Sequence, residues 1–418
     1  VALVRHLLIT QDYPPMGGGM ARRHVELARR LDSDAVTVST VAADPPHAAA
    51  AAAFDGGESY EIVRQPFPFR GAKTVFNQAR WARWLAPRAD RRRGDAVDVV
   101  HCGNVRPAGY PTWWVHRSTG VPYLLYVYGG DLLRERRKLA AALPQRLLKR
   151  WTARRIFEDS AGVVAISDWS AELCRAIMGQ AGVERTPPIL INPLGTDPQY
   201  FRPSRDAGTL RRRLGIGDAP LLLTVARLVP HKGIDVALEA VAALGADYPQ
   251  LRYLVVGQGE DAVRLTQRAA TLGITDRVVF AGSLSDEDIA EAYATADVYV
   301  GLSRVDSEIN AEGFGIAFVE AAASGIPAVA GDSGGVRSAV RDGETGVVVD
   351  PIDARAAAAA IGGLLGNPGR RRAMGAAGRR AAEQYFNWER VARDVREFAA
   401  SAVAHSGAGR APPARRVS

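Results

Sequence analysis

The strongest constraint on this chain is the alternation of strand-length apolar runs with helix-length amphipathic segments, which recurs twice along it. The first run, Arg5–Thr10, leads into "QDYPPMGGGMARRHVELARRL". Pro14 and Pro15 exclude helix there, and Gly17, Gly18 and Gly19 form a loop whose backbone can approach a ligand closely. A helix then starts near Met20, with Val25, Leu27, Ala28 and Leu31 at helical spacing. Further strands are expected at Ala35–Thr40, Val97–His101, Tyr123–Tyr128, Gly162–Ile166 and Ile189–Ile191, with helices between most of them. From Phe201 to Asp218 the pattern pauses in a polar, Gly- and Pro-containing stretch that reads as an interdomain connection. A second series follows. Strands are expected at Leu221–Ala226, Arg252–Val256, Val278–Ala281, Val298–Leu302, Ala328–Ala330 and Gly346–Val349. Helices are expected at Ile234–Ala246, Asp261–Leu272, Asp286–Thr295, Ile316–Ser324, Asp353–Leu365 and Arg370–Tyr385.

Strand–helix alternation of this kind specifies an α/β fold, a parallel sheet with helices on both faces. The 418 residues exceed what one core usually supports, so two doubly wound domains of similar size are expected. The first spans 1–203 and the second 204–386, followed by a closing helix over 387–405 and a disordered tail over 406–418. Asn387 is the N-cap candidate of the closing helix, with Trp388, Val391, Val395 and Phe398 on one face. "AAAAAF", ending at Phe54, reads as a low-complexity loop. Ligands of such sheets bind at the carboxyl ends of strands, which makes the cleft between two facing sheets the expected site.

Composition excludes several functions. No run of eighteen apolar residues is present, so no transmembrane helix is expected. The opening apolar run is too short for a signal peptide and reads as the first strand of a cytosolic domain. Cys102 and Cys174 lack metal-ligand or disulfide spacing and are expected as buried thiols, with no metal site. The net charge of +8 is carried by arginine and is concentrated in "RWARWLAPRADRRRG" and "LLRERRKLAAALPQRLLKRWTARR". Such basic amphipathic segments can rest on an anionic membrane, or simply form solvated helix faces. No nucleic-acid motif accompanies the charge.

The chemistry concentrates in the second half. "AEGFGIAFVEAAASG" places Glu312 and Glu320 around a Gly313–Phe314–Gly315–Ile316 turn that opens a helix of small residues. Carboxylates are seldom set among small apolar residues without a partner, and a ligand can be that partner. "TVARLVPHKG" puts Arg227 and Lys232 on a turn after a strand, an arrangement suited to a diphosphate. "GDSGGVRSAV" is a strand–glycine–helix turn whose free amides can bind an anion. "VVGQGED" contains a GxG but lacks the third glycine of the dinucleotide fingerprint, and it carries Glu260 and Asp261 where a pyrophosphate would be repelled. Cations and amides for a diphosphate, with carboxylates for vicinal hydroxyls, describe a nucleoside diphosphate sugar site.

In this setting "VARLVPHKG", "VVGQGE", "VVFAGSLSDEDIAEAYATADVYVGLSR", "EGFGIAFVEAAASGIPAVAGDSGGV" and "DGETGVVVDP" follow the donor-domain order of the retaining GT-B glycosyltransferases of family four, while "INPLGTDPQYFRP" resembles that family's interdomain segment and "FNWERVARDVREF" its closing helix, so the resemblance covers nearly the whole chain. The resemblance implies a hexose-type transfer from a UDP- or GDP-linked sugar to an acceptor hydroxyl on a small molecule, glycan or lipid, with retention and without metal or other cofactor. It implies that Arg227 and Lys232 bind the diphosphate, Glu320 the ribose, and Glu312 the transferred sugar, with amides from Gly313 to Ile316 near sugar and phosphate. Gly18 and Gly19 would approach the phosphates from the first domain. The leaving diphosphate would itself help deprotonate the acceptor. One departure stands out: the family's His-Gly-x-Asp segment is here "YVYGGDLL", so Tyr128 stands in the histidine's place and Asp131 follows. His101 or His116 are candidates to compensate, and Asp131 is a candidate sugar or acceptor contact. Trp113, Trp114 and Tyr126 read either as stacking platforms or as core. The alternatives are a sugar-nucleotide epimerase or phosphorylase of the same fold, or an inactive membrane-peripheral sugar-nucleotide-binding protein. A pyridoxal phosphorylase needs a late lysine, and none follows Lys232.

Overall fold

The computed structural model describes residues 4–31, 35–90, 92–140, 145–206, 208–305 and 310–408. In chain order the elements are β1 (His6–Ile9), α1 (Gly19–Arg30), β2 (Val36–Ala42), α2 (Ala48–Gly57), β3 (Glu61–Pro68), α3 (Val75–Ala89), β4 (Val99–Cys102), α4 (Gly109–Thr119), β5 (Tyr123–Val127), α5 (Gly130–Leu139), α6 (Gln145–Glu158), β6 (Gly162–Ala165), α7 (Asp168–Ala181) and β7 (Ile189–Ile191). They continue with α8 (Thr209–Arg213), β8 (Leu221–Val225), α9 (Ile234–Ala243), β9 (Arg252–Val256), α10 (Ala262–Thr271), β10 (Val278–Gly282), α11 (Asp286–Thr295), β11 (Val298–Gly301), α12 (Ile316–Ala323), β12 (Ala328–Gly331), β13 (Gly346–Val349), α13 (Ala354–Leu365), α14 (Pro368–Gln384) and α15 (Trp388–Ala408).

The chain divides into two compact units. Unit 1 runs to Asn192 and resumes at Val391; unit 2 is Pro193–Arg390. Unit 1 holds a seven-stranded sheet in the order β3-β2-β1-β4-β5-β6-β7, and unit 2 a six-stranded sheet in the order β10-β9-β8-β11-β12-β13. Every strand pair is parallel. Helices cover both faces of such a sheet, which is why β1, β4, β5 and β6 are buried along their whole length and are almost wholly apolar, His6 and His101 excepted. In each sheet the order reverses between two central strands, β1 and β4 in unit 1 and β8 and β11 in unit 2. A crevice opens at the carboxyl end of such a pair.

Three expectations are corrected, and one strand is added. The domain boundary expected after residue 203 falls at Asn192, because the following segment is bonded into unit 2: the Thr196 amide donates to the Phe386 carbonyl at 2.9 Å, and Arg379 Nη1 donates to the Pro198 and Phe201 carbonyls at 2.8 Å each. The supposed connector is part of unit 2 as well, since Leu210 is buried and Arg211 reaches Thr295 on α11 at 2.6 Å. The alanine run is not a loop but helix α2, with Ala51 buried. Strand β3 was not expected. It carries Pro66 and charged residues because it lies at the sheet edge, where proline is tolerated. Helix α15 begins as expected, with Asn387 Oδ1 accepting the Arg390 amide at 2.8 Å and Trp388, Val391 and Val395 buried. It extends to Ala408, past the expected end at 405; the rest of the expected tail lies outside the described residues.

Candidate functional site

In unit 2 the loops at the carboxyl ends of β8, β9, β11 and β12 are pressed together backbone to backbone. A Cβ at Gly257 would stand 1.9 Å from the Ala226 carbonyl oxygen, one at Gly259 2.1 Å from that of Leu228, and one at Gly233 1.8 Å from that of Leu302. Three backbone hydrogen bonds join the first two loops, the amides of Ala226, Leu228 and Asp261 donating to the carbonyls of Val256 (3.0 Å), Gln258 (2.9 Å) and Leu228 (3.0 Å). The GxG of "VVGQGED" is therefore a seam that fixes the Arg227 loop. Gly334 performs the same service for Glu312: its φ is +57°, and a Cβ there would meet the Glu312 carbonyl oxygen at 2.1 Å. The neighbouring Gly335 amide donates to that carbonyl at 2.8 Å, so this amide is occupied, and the turn continues as a short 3-10 helix, Val336–Ser338, in place of the expected helix start.

This scaffold brings Lys232 and Glu312 together. Lys232 Nζ lies 2.6 Å from Glu312 Oε2, both partly buried, and Ser303 Oγ adds a longer contact at 3.4 Å. Burial pushes the Glu312 carboxyl up, but Lys232, His231 and Ser303 together hold it below its usual range, so it is an ionised acceptor. Arg227 is exposed, and its guanidinium makes no hydrogen bond or ion pair among the described residues. Gly315, at φ +92°, ends the approach to α12, and the Ile316 and Ala317 amides lack intrahelical acceptors because they open the helix. Phe314 is buried and packs near Phe386. Glu320 does not face water: it is buried, and Tyr293 donates to its Oε2 at 2.9 Å. The two glutamates still share surroundings. Burial first, and then the charges of Glu312 and Glu320, push the Tyr299 hydroxyl well above its ordinary value. The alanines after Glu320 serve a helix–helix seam as much as the sheet, since Gly375 and Gly378 of α14 lie hard against Gly325 and Ala322.

Unit 1 holds the other candidates, Gly18, Gly19, Tyr128 and Asp131. Gly18, at φ +114°, is the N-cap of α1, and space is open beside its Cα. Asp131 Oδ1 accepts the Tyr128 and Gly129 amides at 3.0 and 2.9 Å, its Oδ2 is buried without a partner, and burial raises its pKa. The Tyr128 hydroxyl is buried and meets His24 Nε2 at 2.7 Å. Both histidines named to compensate for Tyr128 are engaged within unit 1. His101 is buried between His6 (2.9 Å) and the Tyr126 hydroxyl (2.8 Å), and His116 bonds the Val121 carbonyl and packs on Tyr123. Tyr126 is core, Trp113 donates to Asp159 at 2.8 Å, and Trp114 is exposed.

Four residues of this network were missed from sequence. His24 bonds Tyr128 on one side and the Asp12 carbonyl and Thr10 Oγ1 on the other. Burial, then the charge of Arg23, hold it at about 4 against the pull of the Asp12 carbonyl, so it is neutral. Asp12 sits with Asn104 at the switch point of the sheet, and its pKa is raised to about 6 by burial first and then by Asp131. Arg23 is fully buried, holding Asn192 through its side chain (2.7 Å) and carbonyl (3.0 Å), with its guanidinium 5.2 Å from the Tyr126 ring centroid. A histidine and an arginine on the apolar face of α1 were the available signal. Among the described residues no group of three or more His, Cys, Asp or Glu side chains can hold a metal ion, and no helix is long and apolar enough to cross a membrane.

Residues 17–193 match the family described as Glycosyltransferase Family 4, and residues 206–381 match Glycosyl transferases group 1. The chain is 30% identical over 389 residues to the GDP-mannose-dependent alpha-(1-6)-phosphatidylinositol monomannoside mannosyltransferase of Mycolicibacterium smegmatis, covering 91% of this chain and 94% of the relative. It is 34% identical over 402 residues to the D-inositol 3-phosphate glycosyltransferase of Geodermatophilus obscurus, covering 91% and 84%. Among solved structures, Anabaena HepE in complex with UDP matches with a TM-score of 0.74 at 20% identity, over 95% of this chain and 100% of that one. Sucrose-phosphate synthase from Thermosynechococcus elongatus matches with a TM-score of 0.75 at 22% identity, over 96% and 100%. These structures show the GT-B fold. With both units matched by their family and full-length relatives at this identity, the chain belongs to the family four, group 1 glycosyltransferases and is a glycosyltransferase that uses a nucleotide sugar.

Proposed function

We propose that the chain transfers a hexose from a GDP-linked sugar to a hydroxyl of an inositol-containing acceptor, with retention and without metal. The observation that carries the donor half is the Lys232–Glu312 pair at the strand ends of unit 2; the exposed Arg227 lies on the loop that carries Lys232, and Glu312 lies just before the opening amides of α12. Lys232 spends one donor on Glu312 and keeps two for phosphate oxygens, while Arg227 offers its planar fork. Glu312, ionised and held by Lys232, accepts from hydroxyls of the transferred sugar. Glu320, oriented by Tyr293, accepts from the ribose.

Transfer breaks the bond from the anomeric carbon to the diphosphate oxygen and forms one to the acceptor oxygen on the same face. The acceptor proton passes to the leaving diphosphate. The charge that develops on the diphosphate meets Lys232, Arg227 and the free amides of Ile316 and Ala317, groups already in place. That supply of positive charge is the physical reason no metal is invoked. Support for GDP, mannose and inositol comes from the relatives: one acts with GDP-mannose on a phosphatidylinositol monomannoside, and another is named for D-inositol 3-phosphate.

The test is turnover of GDP-mannose, UDP-glucose and ADP-glucose with phosphatidylinositol mannosides and inositol phosphate as acceptors, with thermal shifts by GDP, UDP and ADP measured in parallel. Turnover with GDP-mannose and an inositol acceptor, with the α-linked product by NMR, is the expected result. Stabilisation by UDP but not GDP would overturn the donor assignment. A β-linked product would overturn retention.

A further inference from the structure

Strand β11 ends at Gly301, and residues 302–304 follow it into contact with the turn that carries Lys232. Each of the three holds a different part of the donor-side surface. The Leu302 carbonyl oxygen is the group that a Cβ at Gly233 would strike, so it packs directly on the residue after Lys232. Ser303 Oγ lies 3.4 Å from Glu312 Oε2. The Arg304 amide donates to the carbonyl of His231, the residue before Lys232, at 2.8 Å. The Arg304 side chain then reaches Asp235, three residues past Lys232. Nη1 donates to Oδ1 at 2.8 Å and Nη2 to Oδ2 at 2.9 Å. One residue therefore grips the chain on both sides of Lys232, with its backbone before and its guanidinium after.

This grip differs from a surface ion pair. The Arg304 and Asp235 side chains are only 18% and 16% exposed. Two parallel bonds fix an orientation, where a single contact fixes only a distance. Asp235 lies in the first turn of α9, where the helix dipole favours a carboxylate. Burial pushes its carboxyl up, but Arg304 and then Arg264 hold it below its usual range, so both ends of the fork are charged. Arg264 is the weaker partner, 3.4 Å from Asp235 and itself held by Asp261 at 2.6 Å. The Lys232 turn is a single short 3-10 turn, Pro230–Lys232, ended by Gly233 at φ +67°. An ammonium on a flexible four-carbon stem keeps one position only when its backbone is held from outside.

We propose that Arg304 is a positioning residue for the transfer: by gripping His231 and Asp235 it sets Lys232 where charge grows on the leaving diphosphate, and it acts through Lys232 rather than on the donor. This rests on the reading of Lys232 as a diphosphate contact and deepens it.

The experiment is steady-state kinetics of the full chain, with the nucleotide sugar that supports turnover, for the parent, Arg304→Lys, Lys232→Ala and the double variant. Arg304→Lys keeps the charge and the backbone bond to His231 but cannot form the fork. It should lower kcat about 10–100-fold, because a misplacement of about 1 Å can cost about 10²-fold. KM for the donor should change by less than about threefold, the pattern of an interaction made in the transition state. In the Lys232→Ala background the same substitution should cost less than about twofold, because no ammonium is left to position. Asp235→Asn, which opens the fork from the other side, should reproduce the loss and add less than about twofold to Arg304→Lys. An equal loss from Arg304→Lys in both backgrounds would overturn the proposal. So would a parental kcat with a lowered melting temperature, the behaviour of an ion pair that serves the fold alone. A damaged Lys232→Ala beside an intact Arg304→Lys overturns this proposal only; a near-parental Lys232→Ala overturns the donor reading and this proposal with it.

Discussion

At the strand ends of unit 2 the polar side chains include an ion pair set on glycine-bracketed loops; at those of unit 1 they are buried and bonded to one another. Lys232 and Glu312 stand 2.6 Å apart on loops that no Cβ-bearing residue could hold so close. Asp12, Asp131, His24 and Tyr128 instead form a packed network with raised carboxyl pKa values and a depressed imidazole. The first arrangement suits a ligand that brings its own charge, because the site meets it with fixed counter-charge. The second is a packed network in which burial works against the charged form of each carboxyl and of the imidazole.

The largest effect should come from breaking the charged arrangement. Lys232→Ala removes a diphosphate contact and leaves Glu312 without its nearest cation. Turnover with the GDP-linked sugar is expected to fall about 10²–10³-fold, with Glu320→Ala in the same range. Steady-state kinetics decide it. Turnover within a few-fold of the parent in both variants would remove the assignment of this surface to the donor.

Gly257→Ala tests whether the glycines serve the fold or a ligand. Its φ of +135° and the Ala226 carbonyl at 1.9 Å predict a loss of about 3 kcal/mol or more in urea unfolding. A variant as stable as the parent but unable to bind nucleotide would instead place Gly257 against the donor.

This contrast also explains what could be read in the sequence. Arg227, Lys232, Glu312 and Glu320 lie on loops and a helix start whose glycines mark them locally, and the short buried strands of both sheets read as apolar runs. The unit 1 network is assembled from positions far apart: His24 on α1 meets Tyr128 after β5, and Arg23 meets Asn192 after β7. No spacing rule joins residues separated by more than a hundred positions. The edge strand β3 was hidden by Pro66, and α2 by its alanines, which give no apolar periodicity.

Asp12→Asn separates two opposed titrations in that network. The Asp12 carboxyl is raised from 3.8 to about 6, so the folded state holds a proton more firmly than the unfolded one, and its contribution to stability is lost as pH rises through that window. His24 is lowered from 6.5 to about 4, so its contribution is lost as pH falls through an overlapping window. Each is worth on the order of 3 kcal/mol, and they offset one another. The asparagine variant should be more stable than the parent at pH 7 and lose that advantage between about pH 6 and pH 4. Urea midpoints across that range test it. Parallel pH profiles for parent and variant would show that Asp12 is not held protonated by the fold.

The smallest effect, and the sharpest test of the contrast, is at Tyr128, where the resemblance read from sequence leads one to expect a histidine. In the structure the hydroxyl's partner is His24, which is neutral and fully buried. If Tyr128 is part of the buried network, Tyr128→Phe strands the His24 Nε2 position and costs about 1–3 kcal/mol of stability, while kcat falls little. If the hydroxyl contacts the transferred sugar, the same variant keeps its stability and loses kcat/KM by tenfold or more. Tyr128→His then discriminates further. An imidazole is shorter than a phenol and cannot reach His24 in the same way, so the network reading expects it to be less stable than Tyr128→Phe. A sugar-contact reading expects it to recover activity that the phenylalanine variant lost, because the imidazole restores a hydrogen-bonding group at the family's position.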